Sequence, residues 1–246
     1  MKRFLRSSLL IPLAGVVVAC SDDSVVTAPR LSPDATPLSS EATALPNFKD
    51  GFEGASISSF WTTNQQYGTM ALSTQQAHSG RKSLMFSSAI APSTSGPKME
   101  LSHDFPVPTR GSFSIWFYDV APGAQTLYEQ ISLYNSQRPG ILATIGTQDF
   151  DANCYMARFD DGAQHGPNAN CGVYPQQSTT NVPRTAGWHR LVINVKPNGV
   201  VFSIDGTKVY TMPGSYLFDR VIVFVSGPYW RPLTTAFFDD FAFSAS

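Results

Sequence analysis

Helical periodicity is missing from this chain. No long stretch carries apolar residues at i, i+3, i+4 and i+7, so a helical fold is not expected. Charge is also sparse, with 17 Lys and Arg against 18 Asp and Glu in 246 residues. No basic cluster occurs, which argues against nucleic acid as a partner. Glutamate is rarer still. Glu41, Glu53, Glu100 and Glu129 are the whole set, and none has an aspartate two positions on. Glycoside hydrolysis needs two carboxylates flanking the scissile bond. The alternating pair that remains, Asp149 and Asp151, sits in the loop-like Gln148-Asp149-Phe150-Asp151. A Gly-rich phosphate loop, a nucleophile elbow and a metalloprotease helix are all absent.

Cysteine occurs three times, at Cys20, Cys154 and Cys171. Lys2, Arg3 and Arg6 precede an apolar run from Leu9 to Ala19 that Pro12 interrupts. That run is short for a bilayer span and has the anatomy of a secretory signal. It ends Val17-Val18-Ala19-Cys20, which resembles a bacterial lipobox. The resemblance implies cleavage before Cys20 and acylation of that residue, giving a membrane contact through lipid alone. Ser21 follows, where aspartate is the usual inner-membrane retention signal, so the expectation is an exported protein on the outer membrane. Without residues 1–19 the chain keeps 14 basic against 18 acidic residues. Residues 20–46 spread Pro29, Pro33, Pro37 and Pro46 among Ser, Thr, Ala and Asp. Such a segment buries too little surface to offset its ordering entropy and reads as a flexible tether. In an oxidising compartment Cys154 and Cys171 are expected to pair.

Residues 47–246 read as one all-β domain, an antiparallel β-sandwich. Short runs alternate with Gly, Pro, Asn and Asp, and aromatics are plentiful. The clearest stretch is Gly187–Tyr210. Strands are expected at Trp188–Val195, Val200–Ile204 and Lys208–Thr211, joined by Lys196-Pro197-Asn198-Gly199 and by Asp205-Gly206. Asn-Gly and Asp-Gly favour tight turns because both residue types tolerate positive φ. Leu191, Ile193 and Val195 alternate with Arg190, Val192 and Asn194, which puts one face on a core.

The Gly-Trp-His opening, the Pro-Asn-Gly turn and the strand ending Ile204-Asp205-Gly206 resemble the concanavalin A-like lectin/glucanase and laminin G-like jelly rolls. Asp50-Gly51-Phe52-Glu53-Gly54, His78-Ser79-Gly80 before Lys82-Ser83-Leu84, and Phe238-Asp239-Asp240-Phe241 belong to the same likeness. The start and end motifs also fit a galactose-binding-like jelly roll; the meander favours the first. The resemblance implies that the first and last strands lie side by side. It implies too that Asp50, Glu53, Asp239 and Asp240 can ligate a structural calcium, an ion that takes several oxygen ligands. The plainer reading is acids at solvated strand ends.

Strand parity then sorts the aromatics. Phe113, Ile115 and Phe117 share a face, and Ser114, Trp116 and Tyr118 share the other. Tyr128, Gln130, Ser132 and Tyr134 oppose Leu127, Ile131 and Leu133, with Glu129 as the misfit. Arg158 lies with Met156, opposite Tyr155, Ala157 and Phe159. A sheet face carrying Trp116, Tyr118, Gln130, Tyr134 and Arg158 suits a poly- or oligosaccharide, because rings cover pyranose faces while amide and guanidinium groups bond hydroxyls. Trp230 and Arg231, in a proline-bounded loop, are a second rim. The expected function is a non-catalytic carbohydrate-binding or adhesive module on the cell surface. Two alternatives stand beside it. One is a polysaccharide lyase using Tyr155, Arg158 and His165, with Arg158 on a uronate carboxylate. The other is a structural envelope lipoprotein. The binding reading requires Trp116 and Tyr118 to converge with Arg158 on one groove.

Overall fold

The computed structural model describes residues 45–89, 96–120, 128–148, 151–169, 171, 178–227 and 235–246, with no side-chain description at 151 and 152. Cys20, the signal and nearly all of the tether, and the Trp230-Arg231 pair lie outside the described residues. Among the described residues there are strands and turns and no helix.

Two antiparallel sheets of eight strands each build the domain. In chain order the strands are β1 (Phe48–Asp50), β2 (Thr62–Gln66), β3 (Gly68–Ser73), β4 (Ser83–Ser88), β5 (Lys98–Thr109), β6 (Gly111–Asp119), β7 (Tyr128–Tyr134), β8 (Ile141–Gln148), β9 (Asp151–Asp161), β10 (Gln164–His165), β11 (Thr179–Pro183), β12 (Gly187–Lys196), β13 (Gly199–Ile204), β14 (Thr207–Pro213), β15 (Phe218–Ser226) and β16 (Thr235–Ala245). The front sheet runs β10-β9-β8-β7-β15-β5-β2, with β11 also on β9. The back sheet runs β14-β13-β12-β6-β16-β4-β3, with β1 also on β16.

The meander from β12 to β14 follows the sequence closely. Leu191, Ile193 and Val195 point inward and are fully buried, as are Val200, Phe202 and Ile204. Asp205 and Gly206 both take positive φ, 50° and 78°, as a two-residue hairpin turn requires. At the other junction Lys196 pairs with Gly199, so Pro197-Asn198 forms the turn and Gly199 already belongs to the strand. A Cβ on Gly199 would come within 2.8 Å of the Met212 carbonyl, which explains a residue without a side chain there.

The core lies between the sheets. The back sheet supplies Phe113, Ile115, Phe117, Phe238 and Phe243; the front sheet supplies Leu101, Ile131, Leu133, Ile145, Val221 and Val223. Each such side chain, taken out of water, contributes roughly 1.5–3 kcal/mol against the cost of ordering the chain. β1 and β16 pair as neighbours, Phe48 opposite Phe243, so the two ends of the domain close one sheet. A register shift between Asp239 and Ala242, with Asp240 at φ 47°, lets β16 pair first with β4 and then with β1. Cys154 and Cys171 are joined as a disulfide, with Cα atoms 6.0 Å apart.

Candidate functional site

The outer face of the front sheet carries the candidate site. Register places Asn64, Glu100, Phe224, Gln130, Gly146 and Met156 in one row across six strands. The next row is Thr62, Ser102, Ile222, Ser132, Thr144 and Arg158, and the one after runs Asp104, Arg220, Tyr134, Leu142 and Asp160. The middle of this face mixes buried polar groups with half-buried apolar ones. Ser102, Gln130, Ser132, Thr144 and Met156 are buried although they point away from the core, while Ile222 and Phe224 among them, and Tyr128 and Tyr134 beside them, are half-buried. Ser132 and Thr144 share a hydroxyl hydrogen bond of 3.0 Å. Gln130 Nε2 donates to the Thr147 carbonyl at 2.9 Å and lies 3.9 Å from Met156 Sδ. Gly146, between Gln130 and Met156 in the row, has no side chain to obstruct it. A Cβ there would meet the Glu129 carbonyl at 2.1 Å, and the residue sits at φ 151°.

The charges on this face are matched within it. Arg158 holds Asp160 through two bonds, Nε to Oδ2 at 2.7 Å and Nη2 to Oδ1 at 3.0 Å. Arg220 forks onto Asp104, with Nη2 to Oδ2 at 2.9 Å and a second bond from Nε. Lys98 Nζ stands 3.6 Å from Glu100 Oε2. The Arg220 hydrogen bonds keep the Asp104 carboxyl below the usual range. A general acid on this face would need the opposite perturbation. What the face offers is hydroxyls, an amide, paired guanidinium groups and aromatic rims.

Trp116 and Tyr118 are elsewhere, which corrects the expectation of one shared groove. They point outward from β6, on the opposite sheet, so they face away from Gln130, Tyr134 and Arg158. There they form an aromatic cluster of their own. His78 stacks on Trp116 with centroids 3.7 Å apart, and Trp188 stands edge-on to both His78 and Tyr118, at 5.7 and 5.3 Å.

The lyase grouping is not assembled either. Tyr155 is fully buried between the sheets, where its hydroxyl donates to Asp119 Oδ2 at 3.2 Å. Burial, with the Asp119 charge beside it, pushes its phenol up, the wrong direction for a base. Arg158, three positions on, points to the opposite face. His165, on β10 at the sheet edge, pairs its Nε2 with Asp161 Oδ1 at 2.8 Å. Asp119 and Arg184 form a buried ion pair beside Tyr155, and Glu129, on the core side of β7, belongs to the same buried polar group. Burial pushes the Glu129 carboxyl up to about 8, with Arg184 opposing and Asp119 adding to the rise.

Solved structures resemble the domain over most of its length. A cellulose-induced protein, Cip1, matches with a TM-score of 0.61 at 16% identity, over 81% of this chain and 97% of its own. The catalytic domain of a laminarinase from Thermotoga maritima gives 0.55 at 10%, over 82% and 98%. The fold is the concanavalin A-like jelly roll. A Bacillus licheniformis β-glucanase matches this jelly roll at 0.52 and 11%, over 81% and 98%. No family model matches the chain, and no curated protein matches its sequence.

The acids near the jelly-roll ends meet protein donors. Asp50 accepts from Phe52 N at 2.8 Å and Trp61 Nε1 at 2.9 Å. Glu53 Oε1 takes the amides of Arg81 and Lys82, both at 2.8 Å. Asp239 takes the amides of His78, Ser79 and Asp240, at 2.8, 3.2 and 2.7 Å. Asp240 takes the His78 ring at 2.7 Å and the Ser79 hydroxyl at 2.8 Å. Among the described residues no three His, Cys, Asp or Glu side chains converge as a metal cage would require. As arranged, Asp239 and Asp240 form a clasp that pins the His78 turn to β16.

Sequence reasoning passed over Arg220, Ile222 and Phe224, which supply the centre of the front face. The signal was present as parity, since Val221, Val223 and Val225 are the inward set. It was hidden because Ile222 and Phe224 are as apolar as their neighbours.

Proposed function

We propose that this protein is a non-catalytic carbohydrate-binding module that takes an oligosaccharide along the outer face of the front sheet. The observation that carries the reading is the centre of that face, where buried hydroxyls and an amide stand outside the core beside half-buried aromatic rings. Rings against sugar faces and fixed polar groups against hydroxyls are how proteins hold glycans. Among the described residues, Glu100, Asp104 and Asp160 of the face are ion-paired, which favours binding over hydrolysis. Several jelly rolls of this shape are named for work on polysaccharides, which supports a carbohydrate partner. The proposal places the module on the bacterial envelope, carried to the outer membrane by a lipid on Cys20.

A glycan array on the full chain tests the binding, with absorbance at 235 nm followed on every uronate polymer that scores. Binding with flat absorbance is the expected result. A rise in absorbance would mean eliminative cleavage and would replace the proposal with a lyase. No binding to any glycan would leave a structural envelope protein.

A further inference from the structure

A second site lies at one end of the sandwich, apart from the front face. The chain crosses there from β5 to β6 through Arg110, and the β7–β8 and β14–β15 connections come alongside. Between them is a cavity of about 250 Å³. Two guanidinium groups line it, Arg110 and Arg138, and among the described residues no carboxylate does. Arg110 Nη2 donates to Ser215 Oγ at 2.8 Å, while its Nε is buried and has no hydrogen-bond partner. A buried N–H without an acceptor costs on the order of 1–3 kcal/mol and calls for an explanation. Arg138 lies on the exposed connection and forms no ion pair among the described residues. The neighbouring acid, Asp219, is occupied by the Ser136 amide and hydroxyl, at 2.8 and 2.5 Å.

We infer that this cavity binds the carboxylate of an acidic sugar residue, with Arg110 and Arg138 as the anion-holding pair. A guanidinium fork matches a carboxylate in geometry and charge. A carboxylate held in the cavity would take N–H groups from both Arg110 and Arg138. The remaining lining suits a small polar ring. Tyr216 and Leu217 give apolar walls, Leu217 being 36% exposed, and Gln137 brings an amide to the rim. This inference stands on its own residues and does not rest on the front-face reading.

Isothermal titration of the full chain with glucuronate, glucose, acetate and sulfate tests it. Glucuronate is expected to bind, glucose not, and the affinity is expected to fall with added salt. Arg138→Gln is expected to weaken glucuronate at least fivefold with an unchanged melting temperature, and Arg110→Gln to weaken it further. Because Arg110 is part of the packed corner, the exposed Arg138 variant decides if Arg110→Gln does not fold. Equal affinity for glucose, or an Arg138→Gln protein that binds as the parent does, overturns the proposal. Acetate or sulfate binding as tightly as glucuronate overturns its sugar part. No glucuronate binding at all overturns the whole.

Discussion

Arg184 closes both arms of its guanidinium on Asp119 inside the sandwich. Nε reaches Oδ2 at 2.8 Å, Nη2 reaches Oδ1 at 2.7 Å, and neither side chain has any exposure. Such a pair gives up solvation at both ends, so its net contribution is small while both partners are present. Removing one leaves a bare charge in the core. Arg184→Met is therefore expected to cost about 3–5 kcal/mol by urea unfolding. The double variant with Asp119→Asn is expected to recover part of that loss. A double variant no more stable than Arg184→Met would mean that the pair is not the coupled unit described.

Glu129 adds a dependence on pH. Its carboxyl titrates near 8 in the fold and near 4.5 in the free chain. Between those values the unfolded chain is ionised while the folded one keeps its proton. Stability is therefore expected to fall as pH rises from about 4.5 to 8, at up to roughly 1.4 kcal/mol per unit, and then to level. The proton keeps the buried group neutral overall, with Arg184 balancing Asp119. Glu129→Gln is expected to flatten this slope in urea midpoints taken across the range. An unchanged slope in that variant would assign the titration to another group.

Parity along β6 and β7 was legible in the sequence; membership of a sheet was not. Phe113, Ile115 and Phe117 point inward as their alternation requires, and so do Ile131 and Leu133. Glu129 was a visible misfit in that pattern, and it is the buried acid. Alternation states only that a residue points out of its own sheet. β6 and β7 follow one another in the chain yet belong to opposite sheets, so Trp116 and Tyr134 both point outward in opposite directions. Long-range pairing decides that, and local pattern carries no record of it.

The front-face reading makes a contrast between the sheets. Tyr134→Ala and Phe224→Ala each remove a half-buried ring from the face and are expected to weaken oligosaccharide binding about tenfold. Trp116→Ala, on the back sheet, is expected to leave that binding unchanged. Titration of the array's best ligand into all three variants checks the contrast. Loss of binding in Trp116→Ala alone would move the site to the aromatic cluster around His78.

The disulfide offers a separate handle on the front-sheet edge. Cys154 and Cys171 are 17 positions apart, and closing a loop of that size stabilises by roughly 3 kcal/mol in the chain-entropy model. Reduction is expected to lower the melting temperature by several degrees. The Cys154→Ala/Cys171→Ala protein should then melt at the same temperature with and without reductant.

The clasp at Asp239 sets protein donors against an ion for the same oxygens. Three amides, from His78, Ser79 and Asp240, converge on this buried carboxylate, and the His78 ring so placed stacks on Trp116. Asp239→Ala would leave amides without an acceptor, at about 1–3 kcal/mol for each one that stays dry. The variant is expected to melt several degrees lower and to lose the shielding of tryptophan fluorescence that the stacked imidazole gives. Calcium separates the two roles of these acids. With the oxygens already turned to N–H donors, neither chelator nor added calcium is expected to move the melting temperature of the parent protein. A rise with calcium that Asp239→Ala abolishes would mean that the carboxylates leave the amides to hold an ion, and the clasp would then be the ion-free form of a metal site.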